Sequence, residues 1–172
     1  PPPFFFSTNP RPSPSYLLRG YENCEDDTYL LESSSRSMNA HVSMNTIKRY
    51  VPGGRLLDVG ASVGYFLNAA RVDFDVYGLE PSEWACGIAR SRFKLEVRQA
   101  TLDEHGFEPE SFDVVTMIDV IEHVTDPKRV IAQAIELLKP GGVLYLGTPD
   151  IGSLSAFLMR SYWWGLRPAH IY

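Results

Sequence analysis

Leu56 to Leu67 reads LLDVGASVGYFL: an apolar run of strand length, a short loop carrying Gly60 and Gly64, then an apolar stretch of helical length. Glycine lets a backbone turn left-handed and approach a ligand closely, and a helix that opens directly after such a loop starts with unpaired amide donors. A strand feeding such a loop is a nucleotide-type site. The dinucleotide fingerprint G-x-G-x-x-G would need glycine at 60, 62 and 65, whereas the chain has Gly60, Ser62 and Tyr65. A nicotinamide cofactor is therefore a poor match.

Downstream the same alternation continues. Strands are predicted at Arg55 to Val59, Asp75 to Leu79, Leu95 to Gln99, Phe112 to Ile118 and Val143 to Thr148, with helices near Gly64 to Arg71, Ser82 to Arg90 and Pro127 to Leu138. Strands alternating with helices predict an α/β fold, a three-layer αβα, doubly wound and mostly parallel sheet. In such sheets ligands bind beyond the carboxyl ends of the strands. Upstream, residues 1–16 carry six prolines, which block helix and sheet and predict an extended tail. Residues 17–53 hold an acidic patch and then a helix over Met38 to Tyr50 with Val42, Ile47 and Tyr50 as its apolar positions, ended by Pro52, Gly53 and Gly54. The ligand-binding domain is expected at 54–150 and a substrate-side segment at 151–172.

A length of 172 residues fits one domain. No apolar run approaches the roughly 18 residues of a spanning helix, so a membrane-embedded class is excluded. Sixteen Lys plus Arg against 21 Asp plus Glu leave a net charge of -5, a field that repels polyanions and makes nucleic acid an unfavoured partner. Cys24 and Cys86 form neither a disulfide framework nor a zinc spacing, so the cytoplasm is the expected compartment. The start, PPPFFFSTNPRPSPS, has no basic leader and reads as a tail.

Asp58 stands two residues before Gly60, and Gly64 four after it. Glu80 ends the second strand in VYGLEPS, SFDVVTMIDVIEHVTDP spans Ser111 to Pro127, and KPGGVLYLGTPD spans Lys139 to Asp150. With these four ordered motifs the chain resembles the class I, Rossmann-like S-adenosylmethionine-dependent methyltransferases, in particular the small-molecule and quinone O-methyltransferase group, over about residues 36–172. The resemblance implies S-adenosylmethionine as cofactor and S-adenosylhomocysteine as product. It implies that Gly60, Ala61 and Gly64 pass under the methionyl part, and that Asp58 orients the loop and accepts from the cofactor ammonium. Glu80 would hold the ribose and Pro81 would belong to the same cofactor site, Thr101 and Leu102 would flank the adenine, and Ile118 and Asp119 would close the methionyl side. Arg36 would meet the methionyl carboxylate. Ser62 replaces the middle glycine of the family loop, which is expected to rearrange the loop slightly or weaken cofactor binding.

Asp119, Glu122 and His123 would share one face of a helical turn and could hold a divalent metal. The plainer expectation is no metal, with Glu122 and His123 shaping the floor of the site. His123 is the candidate general base. His41 and His105 are read as solvated, and the run Tyr162, Trp163, Trp164, with Arg167, His170 and Tyr172, as a lining or lid for an acceptor. The family sheet has seven strands, and only five are counted here. The fifth strand would be a bare edge, expected to be covered by further chain, a second copy or another partner. The expected activity is methyl transfer to a small-molecule acceptor. A non-catalytic binding module and, less favoured, an NAD(P)-dependent oxidoreductase are the alternatives; the oxidoreductase also lacks a Tyr-x-x-x-Lys pair.

Overall fold

The computed structural model describes residues 13–22, 32–163 and 165. Five strands form one parallel sheet: β1 (Gly54–Val59), β2 (Phe74–Glu80), β3 (Val97–Gln99), β4 (Phe112–Ile118) and β5 (Leu138–Gly147), in the order β3-β2-β1-β4-β5. Helices α1 (Pro14–Glu22) and α2 (Ser33–Ile47) precede it. Helices α3 (Tyr65–Ala70), α4 (Glu83–Phe93) and α5 (Pro127–Leu137) are the crossovers, and α6 (Leu154–Met159) follows β5. The predicted α/β class and open parallel sheet are observed.

Successive side chains of a strand point to opposite faces, and the register Leu56 to Val114 and Leu57 to Val115 turns β1 and β4 into two parallel rows. Leu56 and Val114 pack with Met44 and Ile47 of α2, Phe66, Leu67 and Ala70 of α3, and Cys86 and Ala89 of α4. Leu57 and Val115 pack on the other face with Phe112, Met117, and Ala134 and Leu137 of α5. Both faces are therefore buried, which is why these strands read as continuous apolar runs. The helix starts are set locally. Ser82 caps α4 by accepting from the Ala85 amide, and Asp126 caps α5 by accepting from the Arg129 amide, with Pro127 in the first turn. At the foot of the sheet, Asp113 Oδ2 accepts from the Arg55 amide at 2.8 Å and Lys139 Nζ at 2.7 Å, joining the starts of β1, β4 and β5.

Several expectations need correction. A helix begins at Pro14, inside the segment whose prolines were expected to forbid one. Proline is tolerated in a first turn, where its missing donor has no partner anyway, and Ser13 Oγ accepts from the Tyr16 amide at 3.3 Å. Helix α2 starts five residues earlier than read, and its buried stripe is Ala40, Met44 and Ile47; Val42 and Tyr50 are 62% and 73% exposed. Strand β5 starts at Leu138, five residues before the predicted Val143, and runs through Pro140, Gly141 and Gly142, with an irregularity opposite Phe112 and Val114. Among the described strands β5 pairs with β4 alone, and proline's lost donor is tolerable on an edge. The described residues hold no sixth or seventh strand. Residues 1–12, Cys24, Trp164, Arg167, His170 and Tyr172 lie outside the described residues; of the aromatic run, Tyr162 is exposed and Trp163 buried.

Candidate active site

Strand order reverses direction between β1 and β4, and at that point an open parallel sheet leaves a crevice beyond its carboxyl ends. A cavity of about 110 Å³ sits there. Asp58 at the end of β1 forms its floor, and Gly60, Ala61 and Ser62 form one side. Arg36, Asn39, Ala40 and Ser43 of α2 form another, Tyr65 and Phe66 open α3 against it, and Ile118 and Asp119 close the β4 side.

The loop after β1 is tied down from within. Gly60 and Ala61 amides donate to the Leu79 carbonyl at 2.8 and 3.0 Å, the Ser62 amide donates to Glu80 Oε2 at 2.8 Å, and the Gly64 amide donates to the Ala61 carbonyl at 3.0 Å. These amides are engaged by the protein itself. The two glycines are required by packing. Gly60 has φ 78° and an added Cβ would meet Val120 Cγ2 at 2.5 Å; Gly64 has φ 89° and its Cβ would meet Leu95 Cδ1 at 2.6 Å and Ala89 Cβ at 3.1 Å. Ser62 adopts φ 49° where the family has glycine. The predicted departure at this residue is thus a backbone that keeps the left-handed turn with a side chain on it.

Asp58 is 3% exposed, and Thr116 Oγ1 donates to its Oδ1 at 2.6 Å. Burial pushes its carboxyl up to about 7, the Thr116 bond pulls it down, and the nearby Glu80 raises it further. Glu80 is also raised by burial, opposed by the amides of Ser82 and Ser62. On the rim, Arg36 Nη2 pairs with Glu32 at 2.8 Å one turn earlier on the helix. The cavity therefore carries a guanidinium on one wall and carboxylates on its floor and β4 side.

Of the residues expected in the site, Arg36, Asp58, Gly60, Ala61, Ile118 and Asp119 come together around the cavity. Gly64, Glu80, Pro81, Thr101, Leu102 and His123 are outside its lining. Glu80 stands behind the loop it bonds, and the Leu102 side chain is buried in the second apolar cluster. The shared helical face of Asp119, Glu122 and His123 does not form. Asp119 has φ 56° and turns the chain before a short 3-10 turn, Ile121–His123, begins. Glu122 is 3% exposed and its Oε2 accepts from Thr148 Oγ1 at 3.1 Å. Among the described residues no three His, Cys, Asp or Glu side chains are grouped to hold a metal ion. His41 is exposed as read, whereas His105 is half-buried and accepts from the Phe107 amide at 2.9 Å, so it shapes its own turn. The sequence reading missed Asn39, Ala40, Ser43, Tyr65 and Phe66. The spacing Arg36, Ala40, Ser43 is one helix face, but nothing local says what that face meets.

The family model for the methyltransferase domain matches residues 24–172. The chain belongs to that family. A ubiquinone biosynthesis O-methyltransferase of Aliivibrio fischeri is 37% identical over 103 residues, 56% of this chain and 44% of the relative. A ubiquinone biosynthesis O-methyltransferase of Hahella chejuensis is 38% identical over 105 residues, 57% of this chain and 44% of the relative. The chain thus spans under half the length of these curated relatives. Among solved structures, a SAM-dependent methyltransferase from Thermotoga maritima superposes with TM-score 0.69 at 27% identity, covering 84% of this chain and 68% of that one. SAM-bound CalS10, an amino pentose methyltransferase of Micromonospora echinaspora, superposes with TM-score 0.60 at 26% identity, covering 73% and 57%. On this methyltransferase domain the cavity lies at the end of β1, where the loop, α2 and the β4 terminus converge.

Proposed function

We propose that this methyltransferase domain binds S-adenosylmethionine with its methionyl end in the cavity above β1 and β4, and transfers the methyl group to a small-molecule acceptor. One observation carries the reading: a single cavity beside the glycine loop offers Arg36 to a carboxylate and buried Asp58 to an ammonium, the two ends of an amino acid. That donor set fits the group. When bound, the sulfonium supplies an electrophilic methyl whose departure leaves a neutral thioether.

The chain's own work is then binding and orientation. Arg36 receives the carboxylate, a charge-assisted contact. Asp58, held by Thr116, receives the ammonium, and Ile118 and Asp119 close that side. Glu80 and Pro81 meet the ribose, and Thr101 and the Leu102 backbone meet the adenine. Fixing the donor against the acceptor supplies most of the rate, because near-attack geometry replaces translational and rotational entropy that solution reactants must lose. His123, after β4 on the acceptor side, takes the proton of an acceptor hydroxyl. The relatives named for ubiquinone biosynthesis support a hydroxyl on an aromatic ring as the acceptor class.

Among the described residues no helix is long and apolar enough to cross a membrane, and we keep the cytoplasm as the compartment. The β5 edge is open among the described strands, and we infer that a second copy covers it, which light scattering of the purified chain would read as a dimer. The central experiment is isothermal titration with S-adenosylhomocysteine, with NADH as control. Micromolar binding of the first alone supports the proposal; binding of NADH alone, or of neither, overturns it.

A further inference from the structure

Three consecutive amides of the loop after β1 turn onto the end of β2. Those of Gly60 and Ala61 converge on one carbonyl, Leu79, and that of Ser62 reaches the Glu80 carboxylate at 2.8 Å. The other oxygen of Glu80 accepts from the Ser82 amide at 2.9 Å, at the head of α4. Glu80 thus spans two elements, the loop and the start of α4. A carboxylate has about four acceptor directions, so two remain for hydroxyls of a ligand.

Ser62 is the one non-glycine residue of the loop with positive φ, at 49°. A side chain disfavours that conformation. The bond that holds its amide is to a carboxyl oxygen of Glu80, a side chain that is almost fully buried. Ser62 in turn lines the cavity with Gly60 and Ala61.

Resting on the S-adenosylmethionine reading, we propose that Glu80 is a positioning residue for the methionyl half of the cofactor as well as the receiver of its ribose. One carboxylate holds the Ser62 turn in place with Oε2 and leaves acceptor capacity facing the nucleoside. Loop shape and ribose binding are then coupled through a single side chain, and the serine at 62 makes the loop dependent on that grip.

The test compares S-adenosylhomocysteine with 5′-methylthioadenosine, which keeps ribose and adenine and lacks the amino-acid end, by isothermal titration of the full chain. A residue that touches only ribose weakens both ligands by the same factor when replaced. The proposal expects E80Q to weaken S-adenosylhomocysteine about tenfold more than methylthioadenosine, the size of one lost hydrogen bond. It also expects S62G, placed on E80Q, to restore a good part of that extra loss, because glycine holds the turn unaided. Equal losses, or no rescue, overturn it. In the wild-type chain the Ser62 amide proton should exchange slowly with deuterium; exchange at the rate of an open loop overturns the proposal whether or not E80Q folds. If wild type binds neither ligand, the cofactor reading itself fails, and this role fails with it.

Discussion

Replacing Asp58 by Asn should make the unliganded chain more stable at pH 8 and its cofactor site worse. In the folded chain this carboxyl is raised from 3.8 to about 7, chiefly by burial. Between those two values the folded state holds a proton that the unfolded state has released, so stability is full below about pH 4 and falls as pH rises to about 7. About three pKa units at roughly 1.4 kcal/mol each bound the loss at about 4 kcal/mol. Asn has the same shape, and its carbonyl oxygen still accepts from Thr116, so it escapes this penalty. A chain of this size shifts about 2–4 °C per kcal/mol. Thermal melts should therefore place D58N up to about 8–16 °C above wild type at pH 8 and level with it near pH 4. Titration with S-adenosylhomocysteine reads the other half. An ammonium favours ionised Asp58, so wild-type affinity should rise about tenfold from pH 6 to pH 8, while D58N stays weak and flat. A D58N chain that melts lower than wild type at pH 8, with the pH slope of binding retained, would refute the reasoning.

Gly64→Ala should destabilise by about 2–4 kcal/mol, from a left-handed backbone and a Cβ pressed on Leu95 and Ala89, with affinity for S-adenosylhomocysteine changed only a few-fold; an unchanged melt with lost binding would return that glycine to a ligand role. Arg36→Met should cost S-adenosylhomocysteine about ten- to a hundredfold, the worth of a charge-assisted bond, and leave 5′-methylthioadenosine untouched, as parallel titrations would show. His123→Asn should lower turnover of a catechol acceptor about a hundredfold or more with the dissociation constant for S-adenosylhomocysteine unmoved; a shift in that constant instead would make His123 part of the cofactor site.

Strand β4 was legible to the residue because both of its faces are buried and its apolar run has sharp ends at Ser111 and Asp119. The loop after β1 was legible in kind but not in cause. Its glycines read as room for a ligand; Gly60 lines the cavity, and both glycines also make room for Val120, Leu95 and Ala89, residues distant in sequence. Helix α2 hid its inner face because small and flexible residues, Ala40 and Met44, carry it while the larger Val42 and Tyr50 face water. Periodicity weighs the bulkier side chains, so of the three positions it picked only Ile47 lies in the buried stripe. The same blindness hid Asn39 and Ser43 in the cavity wall, since the partner of a helix face is a tertiary fact. The proposed triad after β4 failed on one backbone angle, the positive φ of Asp119, which residue spacing does not encode.

Helix α2 supplies a whole wall of the cavity yet belongs to the stretch of chain before the sheet. It is fastened by Ala40, Met44 and Ile47 against the core and by Tyr145 Oη donating to Ser43 Oγ at 3.2 Å, and it joins β1 through residues 48–53. Traffic in and out of the site therefore need not bend any strand. The position of that wall is therefore set by the packing of Ala40, Met44 and Ile47 and by the Tyr145–Ser43 hydroxyl pair, and a change at any of these reshapes the cavity without touching the sheet.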